Sequence, residues 1–176
     1  WRLPVELLAL PGDPEGLAYD RPLFEVDAPP FRVPLQDGGE LALEDLEGKP
    51  TVLLFFVGVG CPYCAEQIRV FDAAGAEFRA AGVDIVGIST DPIDALVSAA
   101  SSETQTQPSL PIGSGADGGM FEEYRSMDSL EDKPMHRLVL LDGAGKIRWA
   151  LASHAPMLDP EFLLGEILRG VKQARK

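Results

Sequence analysis

The chain has 176 residues, 45% of them apolar, and a formal net charge of −13 from 28 acidic against 15 basic residues. That length gives room for one domain with a filled core and too little for two. The acidic balance disfavours a nucleic-acid backbone or an anionic membrane surface as partner, because both would repel it.

The densest apolar run, 51–57, is of strand length and far short of the roughly 18 residues that a membrane helix needs. The only two cysteines, Cys61 and Cys64, exclude a multiply stapled secreted scaffold. A catalytic pair works in reducing and oxidising compartments alike, so cysteine usage names no localisation.

Residues 1–30 are dense in Pro and Gly: Pro4, Pro11, Gly12, Pro14, Gly16, Pro22, Pro29 and Pro30. This predicts an arm laid over the core, or the end of a linker, with at most one short helical turn at 5–10. The chain opens at Trp1 rather than Met and is expected to be a trimmed or excised domain. Residues 1–10 lack the basic-then-apolar pattern of a secretion signal. The expected division is an arm at 1–27 and a folded domain at 28–176.

Next, 31–34 reads as a short edge strand, Asp37-Gly38-Gly39 as a turn, and 41–46 as a brief helical segment closed by Gly48 and Pro50. The run 51–57, Thr-Val-Leu-Leu-Phe-Phe-Val, reads as a buried strand. Gly58-Val59-Gly60 then leads into Cys61-Pro62-Tyr63-Cys64. From there an apolar stripe runs through Cys64, Ile68, Phe71, Gly75 and Phe78 at alternating steps of four and three, which predicts an amphipathic helix. The stripe turns Cys64 inward and leaves Cys61, at the helix start, near the surface.

Gly82 ends that helix, and 83–89 reads as a second buried strand. Asp91-Pro92 has the form of an N-cap followed by proline, with a helix at 93–100. Residues 101–119 read as loop with a short extended piece near 110–112, and 121–127 as a short helix. A β-hairpin follows, 138–141 and 147–151 around Asp142-Gly143-Ala144-Gly145. Asp159-Pro160 caps a last helix whose Leu164, Ile167, Leu168 and Val171 share one face. Strand–helix–strand–helix, then a hairpin, then a helix describes an α/β fold: a mixed central β-sheet with helices on both faces.

A strand feeding a Cys-x-x-Cys at a helix start is the arrangement of a redox-active dithiol. The thiolate is the nucleophile, and an unperturbed cysteine titrates at about 8.5. A helix N-terminus favours the thiolate through unpaired backbone N–H groups and the dipole, the dipole supplying roughly 0.3–1 kcal/mol at a surface. Pro62 fits the first helical position, where its missing N–H matters little. Cys61 is therefore the expected attacking thiolate and Cys64 the resolving thiol. Tyr63 is expected to shape the docking surface. Asp91 is expected to cap its helix rather than serve as a proton acceptor for Cys64. Cys61, Cys64, His136 and His154 are not at zinc-finger spacing, so no metal is expected. No cofactor is expected beyond the Cys61–Cys64 couple itself.

The order of elements, with Cys-x-x-Cys opening the first core helix, resembles the thioredoxin-like fold. More narrowly it resembles the redoxin branch that includes the alkyl hydroperoxide reductase and thiol-specific antioxidant (AhpC/TSA) family. The landmarks are Ala28-Pro29-Pro30-Phe31, Leu46-Glu47-Gly48-Lys49-Pro50, Phe55-Phe56, Val86-Gly87-Ile88-Ser89-Thr90-Asp91 and Leu140-Leu141-Asp142-Gly143-Ala144-Gly145. Peroxiredoxins of this branch carry a Thr or Ser three residues before the peroxide-attacking cysteine and an Arg in the strand that begins the late hairpin. Here the first position is Gly58, and the second is His136, with Arg137 beside it. Thioredoxins place a cis-proline at that second position, and here Pro134 stands two residues earlier. The resemblance thus makes His136 and Arg137 active-site neighbours, expected to point to opposite faces of their strand.

The leading expectation is a thiol–disulfide oxidoreductase acting through Cys61 and Cys64, with a protein disulfide or thiol as substrate and a thiol electron donor. The alternatives are a peroxiredoxin-like peroxidase, with Cys61 peroxidatic and Cys64 resolving, and a redox-sensing module of a larger chain.

Overall fold

The computed structural model describes residues 26–101 and 108–173. The expected arm at 1–27 and its helical turn at 5–10 lie outside these, apart from the last two residues of the arm. The described elements begin with β1 (Val26–Asp27), β2 (Arg32–Pro34), β3 (Glu40–Ala42) and a 3-10 turn (Leu43–Leu46). Strand β4 (Thr51–Phe56), helix α1 (Pro62–Ala80), strand β5 (Asp84–Ser89), helix α2 (Ile93–Ala100) and strand β6 (Ile112–Ser114) follow. The last are α3 (Gly119–Glu123), β7 (Met127–Asp128), β8 (Lys133–Pro134), β9 (His136–Leu141), β10 (Lys146–Ser153) and α4 (Pro160–Gln173).

The central sheet has six strands in the order β1-β10-β9-β4-β5-β6. β4, β5 and β6 run parallel, joined by crossovers that contain α1 and α2, and β9 and β10 add antiparallel on the other side of β4. This mixed sheet flanked by helices is the thioredoxin-like fold. Alternation along β4 divides two cores. Val52, Leu54 and Phe56 face α1, α2 and α4, where Ile68, Phe71, Phe78, Leu96, Leu163 and Ile167 bury against them. Leu53 and Phe55 face the other way, onto Phe31, Val33, Met120, Phe121 and Tyr124. All six residues of β4 are buried, which explains why its sequence is a continuous apolar run.

The helical stripe emerges as read: Cys64, Ile68, Phe71, Gly75 and Phe78 are all buried on α1. Gly82 ends the helix with φ +78°, a conformation that favours glycine. Asp159 caps α4 through a hydrogen bond from the Phe162 N–H to Oδ1 at 2.9 Å.

Several readings need correction. The segment at 31–34 is not an edge of the main sheet, because β2 pairs with β3 in a separate hairpin. Residues 40–42 accordingly start as strand, and only Leu43–Leu46 turn helically. The extended piece near 110–112 begins at Ile112. The short helix near 121–127 lies earlier, at Gly119–Glu123, and stops before Arg125, whose φ of +55° no α-helix continues through. Asp91 does not cap α2: Pro92 stands at the N-cap and no side chain bonds the free N–H groups. The Asp91 carboxylate is engaged elsewhere. Among the described residues, no helix is long and apolar enough to cross a membrane.

Candidate active site

The two cysteines lie beyond the C-terminal ends of the parallel strands β4 and β5, where open α/β sheets present their functional groups. β4 ends at Phe56, and four residues carry the chain to Cys61, the N-cap of α1. Pro62 occupies the first helical turn, as its fixed φ allows. Both anchors of this connection come from the end of β5. The Thr90 hydroxyl donates to the Val57 carbonyl, and the Val59 N–H donates to Asp91 Oδ2 at 2.7 Å. The Ser89 hydroxyl donates to the same carboxylate oxygen at 2.7 Å, fixing the acceptor.

The pair is graded in depth, and both cysteines are free thiols. Cys61 is half-buried and Cys64 fully buried, while Tyr63 between them is 71% exposed. Hydrogen bonding from the Cys64 thiol, and then from the backbone N–H groups of Cys64 and Tyr63, holds Cys61 below the ordinary thiol range. Burial, and then the bond it gives to Cys61, push Cys64 up to about 11. One sulfur is thus biased toward the thiolate at the helix start, and the other toward the protonated thiol one turn deeper.

β9 brings the two candidate neighbours, and they point to opposite faces as expected. His136 faces α1, with Nε2 at 3.9 Å from Cys64 Sγ and Nδ1 at 3.0 Å from Gln67 Oε1. Burial pushes the His136 imidazole below its usual range. Arg137 turns to the far face, where its Nη1 donates to the Arg125 carbonyl at 3.0 Å. It is not brought to the cysteines. Burial lowers this guanidinium to about 10. Pro134 sits in β8, paired with Met127. His154 is an exposed residue whose Nε2 lies 3.3 Å from Asp128 Oδ2.

Sequence reasoning missed Gln67 and misassigned Asp91. Gln67 had a signal: it is a polar residue one turn after Cys64, beside Ile68 on the inward stripe, and it is 1% exposed. The AhpC/TSA family model matches residues 25–150, most of the chain.

The chain belongs to the AhpC/TSA family. It is 36% identical over 63 residues to the chloroplastic peroxiredoxin Q of Sedum lineare, a match covering 36% of this chain and 34% of that protein. Against the chloroplastic peroxiredoxin Q of Oryza sativa subsp. japonica it is 27% identical over 145 residues, covering 81% of this chain and 63% of the relative. The chain spans about a third of the length of the Sedum protein. The solved structure of peroxidoxin BcpB from Mycobacterium tuberculosis superposes with a TM-score of 0.67 at 24% identity, covering 79% of this chain and 91% of that one. That likeness concerns the fold.

Within the AhpC/TSA frame, the position three before Cys61 has no side chain, and its space is taken from a neighbouring strand. A Cβ built on Gly58 would stand 3.0 Å from Asp91 Oδ2 and 3.2 Å from Oδ1, and Gly58 has φ +154°. The Asp91 carboxylate, two residues past the end of β5, thus fills space that a side chain at position 58 would need. Among the described residues, no group of three or more His, Cys, Asp or Glu side chains is arranged to hold a metal ion.

Proposed function

We propose that the chain is a thiol peroxidase in which Cys61 is peroxidatic and Cys64 resolving. The graded pair carries this reading: an accessible sulfur held toward the thiolate, with a buried protonated thiol one helical turn behind it. Membership of the AhpC/TSA family supports it, as do relatives that bear the name peroxiredoxin. These weigh for peroxide over the protein disulfide that the Cys-x-x-Cys alone suggested. Residues 28–176 would carry the chemistry as one domain.

Cys61 thiolate attacks the terminal oxygen of a hydroperoxide, the O–O bond breaks, and the alkoxide or hydroxide leaves with a proton as alcohol or water. Cys61 becomes a sulfenic acid. The Cys64 sulfur then attacks Cys61, the S–O bond breaks, and water leaves as the 61–64 disulfide forms. Two equivalents of a donor thiol return both cysteines to thiols and become a disulfide themselves.

One observation favours a second reading, exchange with protein disulfides. Neither side chain that the resemblance associates with peroxide attack stands at Cys61: position 58 is glycine, and Arg137 faces away. The exposed Tyr63 beside Cys61 would then meet the protein substrate.

Single-turnover oxidation by micromolar hydrogen peroxide separates the two. A rate far above that of a free cysteine, lost in Cys61→Ser, supports the peroxidase. Sluggish oxidation alongside rapid reduction of insulin disulfides would replace it with the exchange reading.

A further inference from the structure

We propose that His136, oriented by Gln67, is the base that takes the proton from the Cys64 thiol when Cys64 closes the bond onto Cys61. This rests on the reading above only in requiring that Cys64 resolve a species carried by Cys61. It holds alike for a sulfenic acid and a mixed disulfide.

The need for a base follows from depth. Cys64 is fully buried, and burial above all pushes its thiol up to about 11, so it stays protonated near neutral pH. A protonated thiol is a poor nucleophile. The residue at hand to change that is an imidazole on the neighbouring strand, with Nε2 at 3.9 Å from Cys64 Sγ, a long contact that shortens as sulfur and nitrogen share the proton.

The ring's orientation is set from the other side. Gln67 Oε1 only accepts hydrogen bonds, so Nδ1, 3.0 Å away, carries the proton and Nε2 presents its lone pair to the thiol. Burial keeps the free imidazole neutral, the form a base requires. Gln67 is a positioning residue, and His136 touches the reacting sulfur.

Two side chains from α1 contact the ring nitrogens. They are Cys64 and Gln67; Ser153 lies opposite His136 on β10, and Arg137, Leu138, Leu151, Ala155 and Met157 line the same small cavity. Arg137, next along the strand, bonds on the far face. Among the described residues, the titratable side chain in direct contact with the ring is Cys64, which in turn bonds Cys61.

In the step itself the Cys64 S–H bond breaks toward Nε2 while a sulfur lone pair forms the S–S bond to Cys61. The Cys61 S–O bond breaks, and hydroxide leaves as water with the proton from Nε2. With a mixed disulfide, the partner sulfur leaves with the electron pair and takes that proton instead. No further oxidant is needed.

The test uses the reduced protein and 5,5′-dithiobis(2-nitrobenzoate), without peroxide. A first release of aryl thiolate, proportional to reagent, reports attack by Cys61. A second, independent of reagent, reports displacement by Cys64. His136→Leu is expected to leave the first phase and slow the second by about 10² near neutral pH, the scale of a lost general base. Its rate should then climb in direct proportion to hydroxide, where the wild type is flat. Gln67→Leu, which keeps the ring, should slow the second phase several-fold, and Gln67→Glu, an acceptor again, should restore it. A normal first phase with an unchanged second phase and pH profile in both Leu variants would overturn the proposal. A wild-type chain in which Cys64 takes the first aryl thiol sinks this assignment and that of Cys61 together, and a normal first phase with no peroxide reactivity sinks the peroxidase alone.

Discussion

The Asp91 carboxylate accepts the Val59 N–H at 2.7 Å across 32 residues, tying the loop that delivers Cys61 to the end of the adjacent strand. Ser89 donates to the same oxygen, and Gly58 leaves room for it. Asp91→Ala therefore removes two hydrogen bonds at once, one of them from a backbone donor. Stability is expected to fall by about 3 kcal/mol or more, at about 1.5–3 kcal/mol for each bond to a charged group, and alkylation of Cys61 to slow. Asp91→Asn keeps an acceptor oxygen and should recover most of both. Urea unfolding and iodoacetamide kinetics read the two effects. Gly58→Thr is expected to destabilise and to leave the peroxide rate no higher, because its Cβ would meet the carboxylate at 3.0 Å.

The two sulfurs should separate cleanly by pH. Cys61 lies below the ordinary thiol range and Cys64 at about 11, so alkylation near neutral pH should modify Cys61 alone. Mass spectrometry of the labelled peptide decides it. In Cys64→Ser, peroxide should leave a sulfenic acid on Cys61 that a 1,3-dione traps, while Cys61→Ser traps nothing.

Arg137 offers a contrary test of the family pattern. It is 3% exposed, bonded to the Arg125 carbonyl, and its Nε has no partner among the described residues. Arg137→Met replaces a desolvated cation by an apolar chain of similar length, an exchange that is often neutral for stability. The second-order rate of Cys61 with peroxide should change by less than about threefold, since removing a group that stabilises transition-state charge costs about 10² or more. A larger loss would mean that Arg137 does act on the site.

Acid should weaken the fold through His136. Its imidazole is held neutral by burial, with a folded pKa below the ordinary histidine value of about 6.5. Between the two values the unfolded chain binds more protons, so the stabilising contribution is complete above the unfolded pKa and is lost as pH falls through the folded one. Thermal midpoints should drop from about pH 7 to about pH 5, and this part of the drop should vanish in His136→Leu.

Short-range patterning was readable in the chain because it depends only on spacing. The inward stripe of α1 placed Cys64 inside and Cys61 at the helix start, since 3.6 residues per turn sets both at once. Strand alternation likewise separated His136 from Arg137. Asp91 was misread because Asp-Pro before a helix is a local capping signal, and the competing donor, Val59, comes from another strand's end. Residues 31–34 were misread because nothing local says which neighbour a short strand will take.

What spacing determined, then, was the placement of the two cysteines, one at the helix start and one on its buried face, and the helix that carries them. Which groups surround that couple was decided by tertiary structure. His136 reaches Gln67 across 69 residues and Cys64 across 72, because β9 aligns beside β4 in one register with α1 packed over both. Register and helix packing are properties of the assembled sheet, and no window of sequence short enough to show a period contains them.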